Sequence, residues 1–307
     1  MKLELGINTC FAVKRWPLPA DWAAIVHERL GLRLVEHSFD LVSIGGSRGS
    51  TALEQEAREV SSAAQDFELE VRSTFTGLAA YSSNLLLSPD ETVRSDAESW
   101  FRAAIEFSVA VGARATGGHV GAFSVGEWQN AGLKADRWTG LRTSLDRLSS
   151  NARNRGLRAL MIENLAAARE PSTMAMVREL LTDGDANHVP IRLALDVGHM
   201  CVPGTKGSDR DPYAWIRELG PRAFELQLQQ SDEAGDHHWP FTAEANRRGR
   251  ISAERVIDAL GESGVQELPL MLEVIPAFEQ EDGSVLDDLA ASVDYWLEAL
   301  GKAGVAA

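Results

Sequence analysis

Four oxygen-bearing side chains stand directly after apolar runs in the second half of the chain. They are Glu163, Asp196, Gln229 and Glu273. Carboxylates at such places are poorly solvated, and several of them together repel one another unless a cation holds them. Oxygen donors favour Mg²⁺ or Mn²⁺, with Co²⁺ as a further option, over zinc. We therefore predict one divalent cation held by these four side chains, although each alone could also cap a helix or form an ion pair.

The spacing of the four donors matches one strand–helix unit per donor. Glu163 and Asp196 are 33 residues apart, as are Asp196 and Gln229, and Glu273 follows after a further 44. In a parallel barrel, the catalytic groups lie at the carboxyl ends of the strands, which form a ring around the barrel axis. The spacing therefore predicts that the four side chains share one site on that ring.

Short β-like segments alternate with helical segments from end to end of the 307 residues. Strands are predicted over residues 3–8, 32–37, 69–75, 113–120, 157–162, 191–195, 223–229 and 268–274. Helices are predicted over residues 21–30, 50–66, 88–111, 138–155, 171–181, 211–219, 252–264 and 285–299. Eight such units predict one α/β domain over residues 1–307, a parallel (β/α)₈ TIM barrel. The long loops at 39–50 and 230–250 are predicted lids over the site.

The composition limits the partners that the chain can have. Its formal net charge of −15 repels phosphate backbones and anionic lipid, so neither nucleic acid nor a membrane is expected to bind. No run of 18 apolar residues and no signal-peptide core are found. Cys10 and Cys201 lie far apart and predict reduced thiols in the cytoplasm. The expected partner is a small sugar or sugar phosphate, and a homo-oligomer is left open.

Several short motifs give the chain a family resemblance. An Ile-Glu-Asn sequence stands at 162–164, an Asp-Val-Gly-His sequence at 196–199, a Gly-Arg-Ile sequence at 249–251 and a Leu-Glu-Val sequence at 272–274. With these motifs the whole chain resembles the xylose isomerase-like TIM barrels, a group that includes ketose 3-epimerases, sugar-phosphate isomerases and the endonuclease IV group. The resemblance implies an isomerase that needs a divalent metal.

The resemblance also implies roles for two of the carboxylates. Glu163 and Glu273 would flank the substrate carbon as paired acid and base, inverting C3 of a short-chain ketose through an enediolate that the metal stabilises. If only one of them reaches the substrate, the same site would perform aldose–ketose isomerisation. A non-catalytic sugar-binding barrel is a third alternative, which two opposed proton carriers argue against. Phosphodiester hydrolysis is disfavoured by the acidic charge and by the lack of the histidines that such a zinc cluster needs.

Gln229 is the main departure from the family pattern, because the family places a metal-binding histidine there. Either the neutral amide oxygen is the fourth ligand, or three carboxylates and water hold the metal. The segment at 230–234 reads Gln-Ser-Asp-Glu-Ala, where the epimerases of free ketoses usually carry an arginine. This difference favours a ketose phosphate, with a tetrulose phosphate preferred, and the chain is similar to the erythrulose-phosphate epimerases.

Other polar residues at predicted strand ends and in the seventh loop are expected to contact the substrate. His199 follows Asp196 by three positions, Glu36 ends the second predicted strand, and His119 follows two glycines at the fourth. His238, with Asp236 beside it, would reach the site from the loop at 230–250. Each of them could instead bond only to backbone or solvent.

Basic residues on the same rim predict a phosphate contact. Lys14 and Arg15 follow the first strand, and Arg250 lies at the end of the seventh loop. Guanidinium groups suit phosphate because they donate two parallel hydrogen bonds. The alternative for each of the three is an ordinary solvated surface charge.

Overall fold

The computed structural model describes residues 1–44 and 49–304. Part of the predicted lid at 39–50, residues 45–48, lies outside the described residues. Eight parallel strands pair in chain order and close into a barrel, which confirms the predicted parallel (β/α)₈ TIM barrel. The strands are β1 (Lys2–Asn8), β2 (Leu34–Ser38), β3 (Glu70–Phe75), β4 (Ala115–Gly118), β5 (Ala159–Glu163), β6 (Ile191–Asp196), β7 (Ala223–Leu228) and β8 (Glu267–Leu272).

Helices pack around the barrel and bury their apolar faces against it. They are α1 (Pro19–Ala24), α2 (Gly49–Asp66), α3 (Glu91–Ala110), α4 (Val125–Gln129), α5 (Ala131–Arg155), α6 (Met174–Leu180), α7 (Pro212–Leu219), α8 (Ala243–Arg248), α9 (Ala253–Ser263) and α10 (Asp282–Lys302). Three fully buried tryptophans, Trp22, Trp215 and Trp296, belong to this helix layer. Within the described residues, no helix is long and apolar enough to cross a membrane.

Two of the helices, α4 and α8, were not predicted from the sequence. Both lie in loops that follow strands, and each starts at a hydroxyl cap: Ser124 accepts from the backbone of Glu127, and Thr242 from that of Ala245. The predicted start at 138 of the helix that forms α5 is wrong. This helix begins seven residues earlier, at Ala131, because the Asn130 side chain caps it there. The barrel was predictable from periodicity, whereas these short loop helices depend on single caps.

The interior of the barrel carries small residues where strands approach most closely. Gly117 in β4 has a φ of 152°, and a Cβ built there would lie 2.0 Å from the backbone oxygen of Met161 in β5. Ala115, Ala159 and Ala194 continue this tight packing around the same part of the interior. The glycine in β4 is therefore required by the strand packing, since any side chain would force β4 and β5 apart.

Candidate metal centre and active site

Three carboxylates meet at the carboxyl end of the barrel. Glu163 is the last residue of β5, Asp196 the last of β6, and Glu273 follows β8 directly. Their side chains are buried, with relative exposures of 0%, 0% and 3%. One oxygen from each lies within 4.8 Å of the others. We call these three residues the carboxylate triad. The structure brings together the three carboxylates that the sequence placed at strand ends, because parallel strands end on one ring.

The electrostatics of the triad are those of a site that binds a cation. Burial raises the pKa of Glu163 well above its usual value, with the charge of His199 opposing the shift and that of Asp196 adding to it. Burial also raises the pKa of Glu273, and the charges of Asp196 and Glu163 raise it further. Oε2 of Glu273 is buried and has no hydrogen-bond partner. A buried carboxylate oxygen without a donor is costly, and a cation would relieve both that cost and the mutual repulsion.

Two residues beside the triad fix its geometry. Asn164 accepts a hydrogen bond from the backbone N of Asp196 at 3.0 Å and donates one to its backbone O at 2.9 Å. The backbone N of Gly198 donates to Oδ1 of Asp196 at 2.6 Å. Asn164 therefore joins the ends of β5 and β6. Asn164 was not predicted to have a role of its own, although it stands in the Glu-Asn pair that contributed to the family resemblance.

Gln229 lies against Asp196 with its amide in a defined orientation. Its Oε1 accepts from the backbone N of His238 and from Oγ of Ser231, both at 2.7 Å. The backbone N–H of His238 can only donate, so this contact fixes which end of the amide is the oxygen. The Nε2 group therefore faces Asp196 Oδ1 at 3.1 Å and Asp236 Oδ1 at 2.7 Å. In this arrangement Gln229 donates hydrogen bonds to two carboxylates.

His199 and His238 form a charged cluster with Asp236 beside the triad. His199 Nε2 lies 3.2 Å from Asp236 Oδ2, and His238 Nε2 lies 3.2 Å from Asp236 Oδ1. Each histidine directs Nδ1 to a backbone carbonyl, that of Asn164 at 2.7 Å and that of Glu273 at 3.1 Å. The structure thus brings both predicted histidines and Asp236 to the site.

The charges in this cluster stabilise one another. Burial lowers the pKa of His199, but Asp196 and Asp236 outweigh burial, so the net shift is well upward. The pKa of His238 is also raised, because Asp236 outweighs the effect of burial. For Asp236, burial is opposed by the charges of His199 and His238, which hold its pKa below the usual value. One nitrogen each from His199 and His238 lies within 4.8 Å of an Asp196 oxygen, so these three could also hold a metal if the histidines were neutral.

A short 3₁₀ turn after β3, Leu78–Ser82, brings Tyr81 to the site. The Tyr81 hydroxyl lies 3.0 Å from Oε1 and 3.0 Å from Oε2 of Glu163. Its ring packs on His119, with the centroids 4.6 Å apart. His119 is fully buried and bonds through Nε2 to Glu170 at 3.3 Å. Tyr81 was not predicted as a site residue, because no spacing or motif distinguishes a single tyrosine in a loop.

Glu36 lies inside the barrel and is fully buried. It accepts from Asn8 Nδ2 at 2.7 Å and from Gln227 Nε2 at 3.1 Å, and Asn8 Nδ2 also lies 3.3 Å from Glu273 Oε1. Burial raises the pKa of Glu36 well above its usual value, and the nearby carboxyl of Glu225 raises it further. Glu36 is therefore connected to the triad through Asn8.

The two arginines predicted to contact a phosphate donate to other groups, and the predicted lysine lies over an aromatic ring. The Arg15 guanidinium pairs with Asp282 and donates to backbone oxygens, including that of Gln280 at 2.8 Å. Arg250 donates to the backbone oxygens of Arg210 and Met200, each at 3.0 Å. The ammonium of Lys14 lies over the Phe278 ring at 3.9 Å. The polar contacts of both arginines thus stabilise loops on the rim.

A cavity of about 80 Å³ opens beside the triad. Its lining includes Cys10, Phe75, Leu78, Tyr81, His238 and Glu273. It therefore combines an apolar wall with one carboxylate of the triad and with the charged cluster. This is the composition expected of a site for a small polar ligand.

A closed (β/α)₈ barrel carries buried carboxylates at its strand ends, where residues that could hold a metal ion lie together. The sequence profile described as xylose isomerase-like TIM barrel matches residues 27–297, and the chain belongs to that family. The comparisons thus confirm the family that the motifs had indicated.

Named relatives support the same class. The chain is 26% identical over 306 residues to a D-erythrulose 1-phosphate 3-epimerase from Brucella abortus (strain 2308), covering 96% of each chain. A crystal structure of a candidate xylose isomerase from Rhodospirillum rubrum superposes with a TM-score of 0.88 at 29% identity, over 96% of this chain and 99% of that one. D-psicose 3-epimerase from Clostridium cellulolyticum H10 has the same fold, with a TM-score of 0.68 at 15% identity over 97% and 99%. The predicted enzyme class, an isomerase or epimerase, is borne out.

Proposed function

We propose that the protein is a metal-dependent 3-epimerase of a short-chain ketose or ketose phosphate, with a tetrulose phosphate as the preferred substrate. The observation that carries the proposal is the carboxylate triad itself, with its ligand atoms within 4.8 Å of one another and one oxygen of Glu273 left without a partner. Such an arrangement is costly unless the site binds a cation and uses the carboxylates for chemistry.

The donor set fits a hard divalent cation. Glu163, Asp196 and Glu273 would hold it, and the all-oxygen donors favour Mn²⁺ or Mg²⁺, with Co²⁺ as a further option. The orientation of the Gln229 amide supports the alternative in which water completes the coordination, since Nε2 and not Oε1 faces Asp196. When bound, the cation would supply positive charge that polarises the substrate carbonyl and stabilises the enediolate.

The two glutamates would carry the protons. Glu163 and Glu273 end strands that lie three positions apart around the barrel, so they approach a substrate on the axis from different sides. One carboxylate would remove the proton from C3, and the carboxylic acid on the other side would deliver a proton to the opposite face. Their raised pKa values suit groups that must carry a proton near neutral pH. Nε2 of His199 lies 3.2 Å from Asp236 but is buried without a hydrogen-bond partner, and it would donate a hydrogen bond to a substrate oxygen.

The name of one relative supports a short substrate. The D-erythrulose 1-phosphate 3-epimerase that aligns with 96% of this chain is named for a four-carbon ketose phosphate. The source of a phosphate contact would be Lys14, because Arg15 and Arg250 already donate to backbone oxygens.

Deuterium incorporation tests the proposal. The protein is incubated with Mn²⁺ and a panel of ketoses and ketose phosphates in D₂O, and C1, C2 and C3 are followed by NMR. Label at C3 with inversion is the expected result. Label at C1 or C2 would instead identify an aldose–ketose isomerase, and binding without exchange would identify a sugar-binding barrel.

Variants assign the acid and the base. Glu163→Gln and Glu273→Gln should each abolish turnover, because each removes a proton carrier and a charge from the triad. Glu127→Gln is a matched control, since Glu127 is also buried but pairs with Arg137 in a loop helix. Near-full activity in either site variant would show that the acid/base pair is assigned wrongly.

A further inference from the structure

One side chain holds the backbone amides of the first two residues in the turn that carries Tyr81. Asp40 accepts from the backbone N of Leu78 at 2.6 Å through Oδ2 and from that of Ala79 at 2.9 Å through Oδ1. Gly77, just before the turn, has a φ of 73°, and a Cβ there would lie 2.5 Å from Oδ2 of Asp40. Only glycine fits at that point, so the chain holds this turn in one position.

The anchored turn directs the Tyr81 hydroxyl to Glu163 while leaving the side chain 37% exposed. Tyr81 therefore stands between the solvent and the buried carboxylate. Its hydroxyl is 3.0 Å from both oxygens of Glu163, so it lies close to the plane bisecting the carboxyl group. The ring rests on His119 and lines the cavity beside the triad. The contacts of Tyr81 thus combine a polar restraint on Glu163 with an apolar cover.

We propose that Tyr81 is a positioning residue for Glu163 and the roof that limits the length of the substrate. The proposal rests on the proposed function and deepens it. A carboxylate that both holds a cation and carries a proton must keep its plane fixed, and hydrogen bonds from neighbouring groups usually supply that restraint. The Tyr81 hydroxyl donates to Glu163 at 3.0 Å, whereas the nearest nitrogen of His199, Nδ1, lies 3.4 Å from Glu163 Oε1 and bonds the Asn164 carbonyl.

Two substitutions separate the hydroxyl from the ring. Tyr81→Phe keeps the ring and removes the hydrogen bond, whereas Tyr81→Ala also removes the roof. Tyr295→Phe is the matched control, because Tyr295 bonds the backbone of Ala253 and lies away from the triad. All variants are first compared with the wild type by thermal unfolding, so that a loss of fold is not read as a loss of function.

The first measurement is Mn²⁺ binding by calorimetry, which needs no substrate. Tyr81→Phe should weaken Mn²⁺ binding about tenfold, at the low end of the tenfold to hundredfold loss typical of such outer partners. The second measurement is turnover: Tyr81→Phe should lower kcat about tenfold with little change in KM. Tyr81→Ala should raise the ratio of kcat/KM for five- and six-carbon ketoses over four-carbon ketoses.

The outcomes distinguish this inference from the proposed function. If the wild type binds Mn²⁺ but exchanges no substrate proton, the epimerase proposal fails, while a tenfold loss of Mn²⁺ affinity in Tyr81→Phe still supports the positioning role. If the wild type is active and Tyr81→Phe matches it within about twofold in both affinity and kcat, the positioning role is overturned. If Tyr81→Ala keeps the wild-type preference for substrate length, the proposal that Tyr81 limits that length is overturned.

Discussion

Glu36 and Glu225 form a buried carboxyl pair below the triad, and we predict that they share a proton. Both are fully buried, and each carboxyl perturbs the pKa of the other. Ser73 donates to Glu225 Oε2 at 2.7 Å, and Glu225 Oε1 has no partner. Burial is the main cause that raises the pKa of each carboxyl. Two facing carboxylates with no cation between them cannot both be ionised cheaply, so the pair should keep one proton at neutral pH.

The pair makes the free energy of unfolding depend on pH, and the raised pKa values set the direction of that dependence. In the unfolded chain each glutamate titrates near its usual pKa of 4.5, so above that pH the folded state binds more protons than the unfolded state. The contribution of the pair is therefore fully present below about pH 4.5 and is lost as the pH rises through the raised pKa. Wherever the folded state holds one proton more than the unfolded state, the slope is about −1.4 kcal/mol per pH unit.

Glu225→Gln removes the shared proton with almost no change in shape. Its amide can donate to Glu36, which then ionises without a facing charge. As the pH rises above about 4.5, the difference in unfolding free energy should therefore move in favour of the variant by up to about 1.4 kcal/mol per pH unit. Urea unfolding followed by circular dichroism, with EDTA present to keep the triad free of metal, measures this difference.

The matched control is Glu127→Gln. Arg137 and Ser124 lower the pKa of Glu127 despite its burial, so its contribution is present above the usual pKa and lost only at acid pH. The difference in unfolding free energy between Glu127→Gln and the wild type should be constant between pH 6 and pH 8. Parallel curves for Glu225→Gln and the wild type over the same range would refute the shared proton.

Three further predictions concern the metal and the barrel. Mn²⁺ should bind once per chain with release of protons, because burial raises the pKa values of Glu163 and Glu273 and so favours their protonated forms before the metal binds; calorimetry in buffers of different ionisation enthalpy counts the protons, and binding without release would contradict the electrostatics. Gly117→Ala should destabilise by more than about 3 kcal/mol because of the contact with Met161, whereas Gly140→Ala, in open space on α5, should stabilise by up to about 1 kcal/mol; equal denaturation midpoints would be the contrary result. Asn164→Ala should lower both stability, by about 2 kcal/mol, and Mn²⁺ affinity, since it loses two bonds to Asp196; an unchanged affinity would mean that Asn164 does not orient Asp196.

The strand ends were predictable because each acid directly follows an apolar run, and the barrel closure then dictates that those ends meet. The interior acids were predictable in principle as well. In β7, Glu225 and Gln227 alternate with Leu226 and Leu228, which is the pattern of a strand with one polar face, but a polar face directed into a barrel is unusual.

The loops were harder to predict for a different reason. The sequence shows the charges of Arg15 and Arg250 but not the backbone carbonyls that lie within their reach, and those carbonyls accept hydrogen bonds from both guanidinium groups. Tyr81 reaches Glu163 only because Asp40 and Gly77 place its turn, and those three positions form no pattern along the chain. The contacts that position loops are long-range and therefore lie outside what periodicity or local motifs can reveal.

The charges around the site argue for one divalent cation rather than two. The triad and Asp236 carry four negative charges when ionised, and the raised pKa values of His199 and His238 give two positive charges. One divalent cation balances the remainder. A second cation between Asp196 and the two histidines would have to displace both of their protons while Asp236 favours keeping them. The shared proton of the pair below the triad works in the same direction, because it halves the negative charge that the pair adds beneath the site.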